Sequence, residues 1–215
     1  MICRLCSLLN SSIGKKIQVA LAGLLLCGFL VTHLAGNLLL FVGEATFNRY
    51  AETLEHNPLL IPAEIVLGGL FLIHIVLALK LKLENRAARP VAYLDAQSKG
   101  GRTAGSSTMA VTGTLVLAFL IVHIKTLKFG DDPKGLYDLV LRMFGNPLYS
   151  GFYVVAMGGL MLHLSHGFQS AFQTFGVNHP RYTPLIKRVG AIFAFVIAGG
   201  FAFIPIWAYV IGGDR

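Results

Sequence analysis

Five long apolar runs constrain this chain more than any other feature of its sequence. They lie near residues 17–42, 59–79, 109–124, 148–164 and 189–212. Several approach the ~20 residues that an α-helix needs to cross a hydrocarbon core of ~30 Å, and the shorter third and fourth runs reach that length if their polar flanks stay helical. Only 13% of the 215 residues are charged, which is about half of what a soluble domain carries. The sequence therefore predicts an all-α integral membrane protein, a single domain over residues 1–215, with helices at about 17–42, 59–83, 107–128, 147–172 and 187–211.

The formal net charge of +8 could suggest binding to nucleic acid, but its distribution indicates a membrane topology instead. If the N-terminus is cytoplasmic, most basic residues fall on the inner side: Arg4, Lys15, Lys16, Lys80, Lys82, Arg86, Arg89, Lys99, Arg102, Arg181, Lys187 and Arg188. Most acidic residues then fall on the outer side: Glu44, Glu52, Glu55, Glu64, Asp131, Asp132, Asp138 and Asp214. Excess positive charge in cytoplasmic segments sets the orientation of membrane proteins. We therefore expect a cytoplasmic N-terminus and no nucleic-acid partner.

Four of the apolar runs carry histidine, at His33, at His74, at His123 and at His163 with His166. An imidazole at membrane depth is costly unless something satisfies it, so such residues are candidates for a functional site. With a rise of 1.5 Å per residue, two of these histidines lie toward the outer side (His33, His123) and two lie further in (His74, His163). Two imidazoles at one depth on facing helices can fill both axial positions of a haem iron. The pattern predicts two stacked haems that transfer electrons, because six-coordinate iron has no open position.

Other interpretations of these residues remain open at this point. A membrane histidine can be a hydrogen-bonded core residue, and the spacing of His163 and His166 allows either to be the fourth ligand. Zinc is disfavoured because structural zinc sites need four converging ligands, and the N-terminal CxxC pair supplies at most two. His56 and His179 fall in loops and are expected to be solvated. No nucleotide-binding or hydrolase motif is present, so the chemistry must come from a cofactor.

Glycines within the runs would let a flat macrocycle approach the backbone, although small residues also serve plain helix packing. These glycines are Gly28, Gly36, Gly68, Gly69, Gly113, Gly158 and Gly159.

Four segments together carry a resemblance that covers nearly the whole chain. They are VTHLAGNLLLF with GEATFN after it, LIHIVLALKL, GRTAGSSTMAVTGTLVLAFLIVHIKTLKF, and GFYVVAMGGLMLHLSHGFQSAFQTFGVNHPRYTP. In these segments the chain resembles the cytochrome b membrane-anchor subunit of succinate:quinone and quinol:fumarate oxidoreductases, in its single-subunit, five-helix, two-haem form.

The resemblance implies a fold, a cofactor set and partners. It implies haem b ligands at His33 and His123 for the outer haem and at His74 and His163 for the inner haem. The family's fourth ligand matches the first histidine of HLSHG, which favours His163 over His166. It further implies a flavoprotein and an iron–sulfur subunit on the cytoplasmic face of a bacterial inner membrane, with electrons passing to or from a menaquinone-type quinone. The dicarboxylate chemistry would then belong to the flavoprotein. The resemblance also allows a dimer of the whole complex.

Haem propionates need cationic or donor partners, and a quinone site needs a proton acceptor. Candidates for the propionates are Arg142 at the outer entrance of the fourth helix and Lys15, Lys16 and Gln18 on the inner side. Candidates for the quinone site are Glu64 and Glu44.

One position departs from the family pattern. Some two-haem fumarate reductases carry a glutamate two residues before the fourth-helix ligand, and this glutamate is proposed to conduct protons. Here that position is Met161, which puts that proton route in doubt.

The competing functions are a haem-bearing subunit of another respiratory dehydrogenase and a haem-free anchor or transporter.

Overall fold

The computed structural model of this chain describes residues 2–88, 104–131 and 133–212. It is 87% helical, and no strand occurs among the described residues. The same residues contain eight α-helices: α1 (Ile2–Asn10), α2 (Ser12–Asn37), α3 (Glu44–Glu55), α4 (Leu60–Ala87), α5 (Ala104–His123), α6 (Leu136–Phe144), α7 (Pro147–Thr174) and α8 (Thr183–Gly212). A short 3₁₀-helix, Leu38–Phe41, continues α2, and a π-helix, Ile124–Lys128, continues α5.

Five of these helical segments are long and apolar enough to cross a membrane. They are Ser12–Phe41, Leu60–Ala87, Thr108–Lys128, Pro147–Thr174 and Thr183–Ile211. The prediction of an all-helical, five-span, multi-pass membrane protein is therefore confirmed at this level. The second span, predicted to end at about 83, continues as a helix to Ala87, and most of the segment between it and α5 lies outside the described residues. Also outside them lie the charged positions Arg89, Lys99, Arg102, Asp132 and Asp214.

Capping side chains fix where two of the spans begin. The hydroxyl of Ser11 accepts a hydrogen bond from the backbone N–H of Gly14, so α2 starts five residues before the first apolar run. The side chain of Asn146 caps α7 by accepting hydrogen bonds from the backbone N–H groups of Leu148 and Tyr149. Pro147 occupies the first turn of the helix, where its missing N–H leaves no hydrogen bond unmade.

Three short helices, α1, α3 and α6, lie outside the five predicted spans. Each is too short to span a bilayer, so a search for runs of ~20 apolar residues does not find it. Helix α6 illustrates the physical reason for their stability. One of its faces is buried, through Tyr137, Leu139, Val140, Leu141 and Phe144.

The bundle is built around α2 and α7, which pack against each other. Helix α4 packs on α2, α5 packs on α7, and α8 lies against α7 and α2. Alanines with no exposed surface, Ala156, Ala194 and Ala198, sit in the shared core. Small side chains at helix contacts allow backbones to approach closely, which is the usual basis of packing within a membrane.

Candidate functional site: two imidazole pairs

The structure brings the four histidines together as two pairs. The rings of His33 on α2 and His123 on α5 have centroids 5.8 Å apart and are nearly perpendicular, at 89°. The rings of His74 on α4 and His163 on α7 have centroids 6.3 Å apart at 73°. We call these the α2–α5 pair and the α4–α7 pair. They join the same partners that helix depth had suggested.

The two pairs lie at different levels of the bundle. On α2, Gly23 abuts the α4–α7 pair, and His33 of the other pair follows ten residues later. On α5, Gly113 abuts the α4–α7 pair, and His123 again follows ten residues later. Ten residues correspond to about 15 Å of helix rise. Both levels therefore fit within one hydrocarbon core of about 30 Å.

The pair spacing can be compared with what a metal ion requires. Two imidazoles that bind one ion from opposite sides have centroids roughly 6 Å apart, because each metal–nitrogen bond is about 2 Å long. Among the described residues, no group of three or more His, Cys, Asp or Glu side chains could hold a metal ion. Each pair thus offers two nitrogens only. This donor set fits an iron that takes two axial ligands from protein and the others from a macrocycle.

In the α4–α7 pair, hydrogen bonds hold the Nδ1 atoms of both rings. Nδ1 of His74 lies 3.1 Å from the backbone carbonyl oxygen of Val19. A carbonyl only accepts, so this nitrogen carries the proton. Nδ1 of His163 lies 3.4 Å from the hydroxyl of Thr112, whose own hydrogen is directed to backbone carbonyls of α5. Both rings therefore keep an unprotonated Nε2, the arrangement found where outer partners orient a metal-binding histidine.

The ring of His33 is positioned mainly by aromatic neighbours. It stacks on Phe29 with centroids 5.1 Å apart and lies 5.5 Å from the ring of Phe201 on α8. The amide nitrogen of Asn37 donates to the carbonyl of His33 at 2.8 Å and stands 3.5 Å from its Nδ1. The longer contact is at the limit for a hydrogen bond, so packing fixes this ring more than polar contacts do.

His123 contacts a residue that the sequence argument missed. Its Nδ1 lies 3.3 Å from the hydroxyl of Tyr153 on α7, and its ring packs beside Phe119 with centroids 5.4 Å apart. Helix geometry could have found Tyr153 from the sequence, because it precedes His163 on α7 by ten residues, the same spacing that separates the two levels on α2 and on α5. It therefore belongs at the level of the α2–α5 pair.

His166 differs from His163 in its surroundings. It is half-buried, and its Nδ1 lies 3.2 Å from the amide nitrogen of Gln169. His163 is the residue whose ring faces His74. The loop residues His56 and His179 are exposed, as expected.

The glycines named from the sequence have different surroundings. A Cβ at Gly113 would stand 3.4 Å from Cε1 of His163, whereas Gly36 and Gly159 face Tyr50 and Leu115 and serve helix packing. Nothing lies within 4 Å of a Cβ built at the others, Gly28, Gly68, Gly69 and Gly158. Gly23, which the sequence argument did not name, has the tightest contact with a paired histidine, at 3.2 Å from Cε1 of His74.

Two of the inner propionate candidates are already engaged. The ammonium group of Lys15 is buried and forms an ion pair with Glu84, one of whose oxygens is 2.6 Å away. The amide of Gln18 donates to the carbonyl of Leu9 at 2.9 Å. Lys16 is exposed. Of the three inner candidates, Lys16 alone keeps a side chain that these bonds do not occupy.

The outer candidates lie at the surface of the bundle. The guanidinium group of Arg142 donates to the backbone carbonyl of Asp131 at 2.6 Å. Glu64 forms an ion pair with Lys128 at 2.5 Å, with both side chains more than two-fifths exposed. Glu44 is exposed in the first turn of α3.

An open groove of about 450 Å³ lies between α4 and α5. Its lining is apolar except for one cation and one hydroxyl group, and consists of Lys82, Ala110, Val111, Thr114, Leu115 and Ala118. Lys82 is thus a cation beside α5 that was not among the propionate candidates named from the sequence.

Comparison of the chain with protein-family models, curated proteins and solved structures finds no match. The two imidazole pairs and the four sequence segments are therefore the features of this chain that bear on its function.

Proposed function

We propose that this chain is a membrane-embedded cytochrome b that binds two haems, one at each imidazole pair. Within that class, we propose that it is the dihaem membrane-anchor subunit of a succinate dehydrogenase or fumarate reductase complex. The observation that carries the proposal is the presence of two histidine pairs, each at axial-ligand spacing and each joining two different helices, at levels about 15 Å apart.

Haem b at these positions would supply one-electron chemistry with both axial sites filled. The protein's part is to orient the ligands and to exclude water. Nε2 of His74 and of His163 would serve as ligands, because hydrogen bonds already hold the opposite nitrogen of each ring. In the α2–α5 pair, Phe29 stacks on His33 and Phe119 packs beside His123, so an apolar ring covers part of each histidine and would help to exclude water.

The partners follow from the same proposal. A flavoprotein and an iron–sulfur subunit would dock on the cytoplasmic face of a bacterial inner membrane, where the basic residues of the N-terminal side and the α4 end gather. Electrons would pass between the iron–sulfur subunit and a menaquinone-type quinone through the two pairs. The dicarboxylate reaction would take place in the flavoprotein, so this chain acts as the electron-transfer and quinone-binding subunit. For the proton acceptor at the quinone we retain Glu64 and Glu44.

Charged partners for the propionates are more restricted than the sequence suggested. Because Lys15 is held by Glu84, we propose Lys16 and Lys82 as the cations available on the inner side. Arg142 remains the outer candidate, since its guanidinium group has donors beyond the one used by Asp131.

The test is a dithionite-reduced minus oxidised spectrum of the purified chain, with pyridine haemochrome quantitation. We expect two b-type haems per chain. His163→Ala should retain one, while His166→Ala, three residues along the same helix, is the matched control and should retain both. A chain without haem would contradict the proposal and would leave a haem-free anchor or transporter. Loss of a haem in His166→Ala, with none lost in His163→Ala, would overturn the ligand assignment.

A further inference from the structure

A chain of hydroxyl groups leads away from Nδ1 of His123. Nδ1 of His123 lies 3.3 Å from the Tyr153 hydroxyl, which lies 2.7 Å from the Tyr149 hydroxyl. The Tyr149 hydroxyl lies 2.5 Å from Oγ1 of Thr126. Oγ1 of Thr126 in turn donates to the backbone carbonyl of Val122 at 2.7 Å, so the chain returns to the residue next to His123.

The carbonyl of Val122 can only accept, so we assign the single hydroxyl hydrogen of Thr126 to it. With that assignment, Tyr149 donates to Thr126 and Tyr153 donates to Tyr149. The Tyr153 oxygen then accepts from His123, so Nδ1 of His123 carries the proton and the lone pair is on Nε2.

We propose that Tyr153, Tyr149 and Thr126 are positioning residues that fix His123 as the Nδ1–H tautomer and present its Nε2 to the metal. This inference rests on the proposed function, since the metal is the haem iron assigned there. The chain is directional because it ends on a carbonyl. Any substitution that removes one of these hydroxyl groups interrupts the series of hydrogen bonds that fixes the tautomer of His123.

Packing supports the role of this chain. Tyr153 is only 5% exposed, and its ring is enclosed by Phe119 and Phe144, with centroids 4.9 Å away in each case. Tyr149 and Tyr153 are one helical turn apart on α7, and their ring centroids are separated by 4.6 Å. A ring held on several sides cannot turn its hydroxyl away from His123 without repacking the core.

The backbone next to His123 is also unusual. Helix α5 ends at His123, and the next five residues, Ile124–Lys128, form a π-helix. Such widened turns are rare and are frequently found at functional sites. Here the π-helix carries Thr126, the residue that ends the hydroxyl chain. The irregular turn therefore holds a member of the hydroxyl chain directly after His123.

The experiment uses the full chain in the His163→Ala background, where only the haem of the α2–α5 pair remains. Tyr153→Phe removes one oxygen atom and keeps the ring. We expect the haem affinity, measured by transfer to apomyoglobin, to fall about 10- to 100-fold, as is usual when the outer partner of a metal-binding histidine is lost. The midpoint potential should rise, because an Nδ1–H that no longer donates makes Nε2 a weaker donor to ferric iron.

Two further variants separate the hydroxyl chain from general packing. Tyr137→Phe removes the hydroxyl of another buried tyrosine, one that packs on Phe47, and should change neither property. Thr126→Val should shift the potential in the same direction as Tyr153→Phe but by less, and Thr126→Ser should restore it. An unchanged affinity and potential in Tyr153→Phe would overturn the inference, as would a Thr126→Ser variant that behaves like Thr126→Val.

A second readout does not depend on haem. Nitrogen-15 NMR of histidine-labelled protein reports which ring nitrogen of His123 is protonated. The inference requires Nδ1–H in the parent protein, and Nε2–H would overturn it. If the parent chain binds no haem, the proposed function fails, and this measurement still decides whether the hydroxyl chain fixes the tautomer.

Discussion

The contact between Gly23 and His74 gives a sharp test of the α4–α7 site. An added Cβ at Gly23 would stand 3.2 Å from Cε1 and 3.5 Å from Nδ1 of the imidazole. The ring must then retreat by a few tenths of an ångström, and Nδ1 is already 3.1 Å from the carbonyl oxygen of Val19. Such a shift lengthens that hydrogen bond beyond the usual range of about 2.7–3.2 Å and so weakens its hold on the ring. Gly23→Ala should therefore misplace His74.

The size of the expected decrease in haem affinity follows from the weakening of that orienting hydrogen bond. Outer partners of metal-binding histidines are worth about 10- to 100-fold in affinity. We expect at least a tenfold loss, or about 1.4 kcal/mol, in the haem affinity of the α4–α7 site. The assay is haem transfer to apomyoglobin in the His123→Ala background, where only this site binds haem.

Gly28→Ala on the same helix is the matched control. Gly28 is exposed, nothing lies within 4 Å of its added Cβ, and it faces about 140° around the helix from Gly23. Both substitutions gain the same helix propensity, about 0.5–1 kcal/mol. Only Gly23→Ala should weaken haem binding. Equal affinities in the two variants would refute the argument that backbone proximity positions His74.

Other predictions concern stability and the separation of stability from activity. Glu84→Gln leaves the buried Lys15 without its counter-charge and should lower the free energy of unfolding in detergent by about 1–3 kcal/mol. The expected loss is smaller than for a fully buried pair because Glu84 is partly exposed. Lys15→Met combined with Glu84→Gln should regain most of the lost stability, and a double variant that regains none would contradict this prediction. Gly36→Ala places a Cβ within 2.8 Å of the Tyr50 ring and should cost about 1–3 kcal/mol in the same assay, with Gly36→Ala/Tyr50→Leu recovering stability if the clash is the cause. Glu64→Gln breaks an exposed ion pair and should change the free energy of unfolding by less than about 1 kcal/mol. A large loss of quinol oxidation at unchanged stability would therefore indicate a chemical role for Glu64. A large loss of stability in the same variant would exclude that interpretation.

The fold was predictable at the level of spans because hydropathy over ~20 residues reports directly on the bilayer. The boundaries were less predictable, because capping residues such as Ser11 and polar flanks such as the end of α4 extend the helices beyond their apolar runs. The short helices α1, α3 and α6 escaped because an amphipathic helix of about ten residues carries no length signal.

For the candidate site, the sequence by itself determined the level of each histidine. A helix rises 1.5 Å per residue whatever surrounds it, so position along a span gives depth without a structure. That rule alone assigned His33 to His123 and His74 to His163, and the same pairs are in ring contact in the folded chain.

Only the tertiary structure decided what holds each ring. The partners of the Nδ1 atoms lie far along the chain, Val19 for His74 and Tyr153 for His123, and they meet only when four helices adopt particular rotations about their axes. The same holds for Lys15, which looked free in the sequence and is paired with Glu84 in the fold. Depth is a local property of one helix, whereas the rotation that brings two groups within hydrogen-bond distance depends on the packing of all the helices.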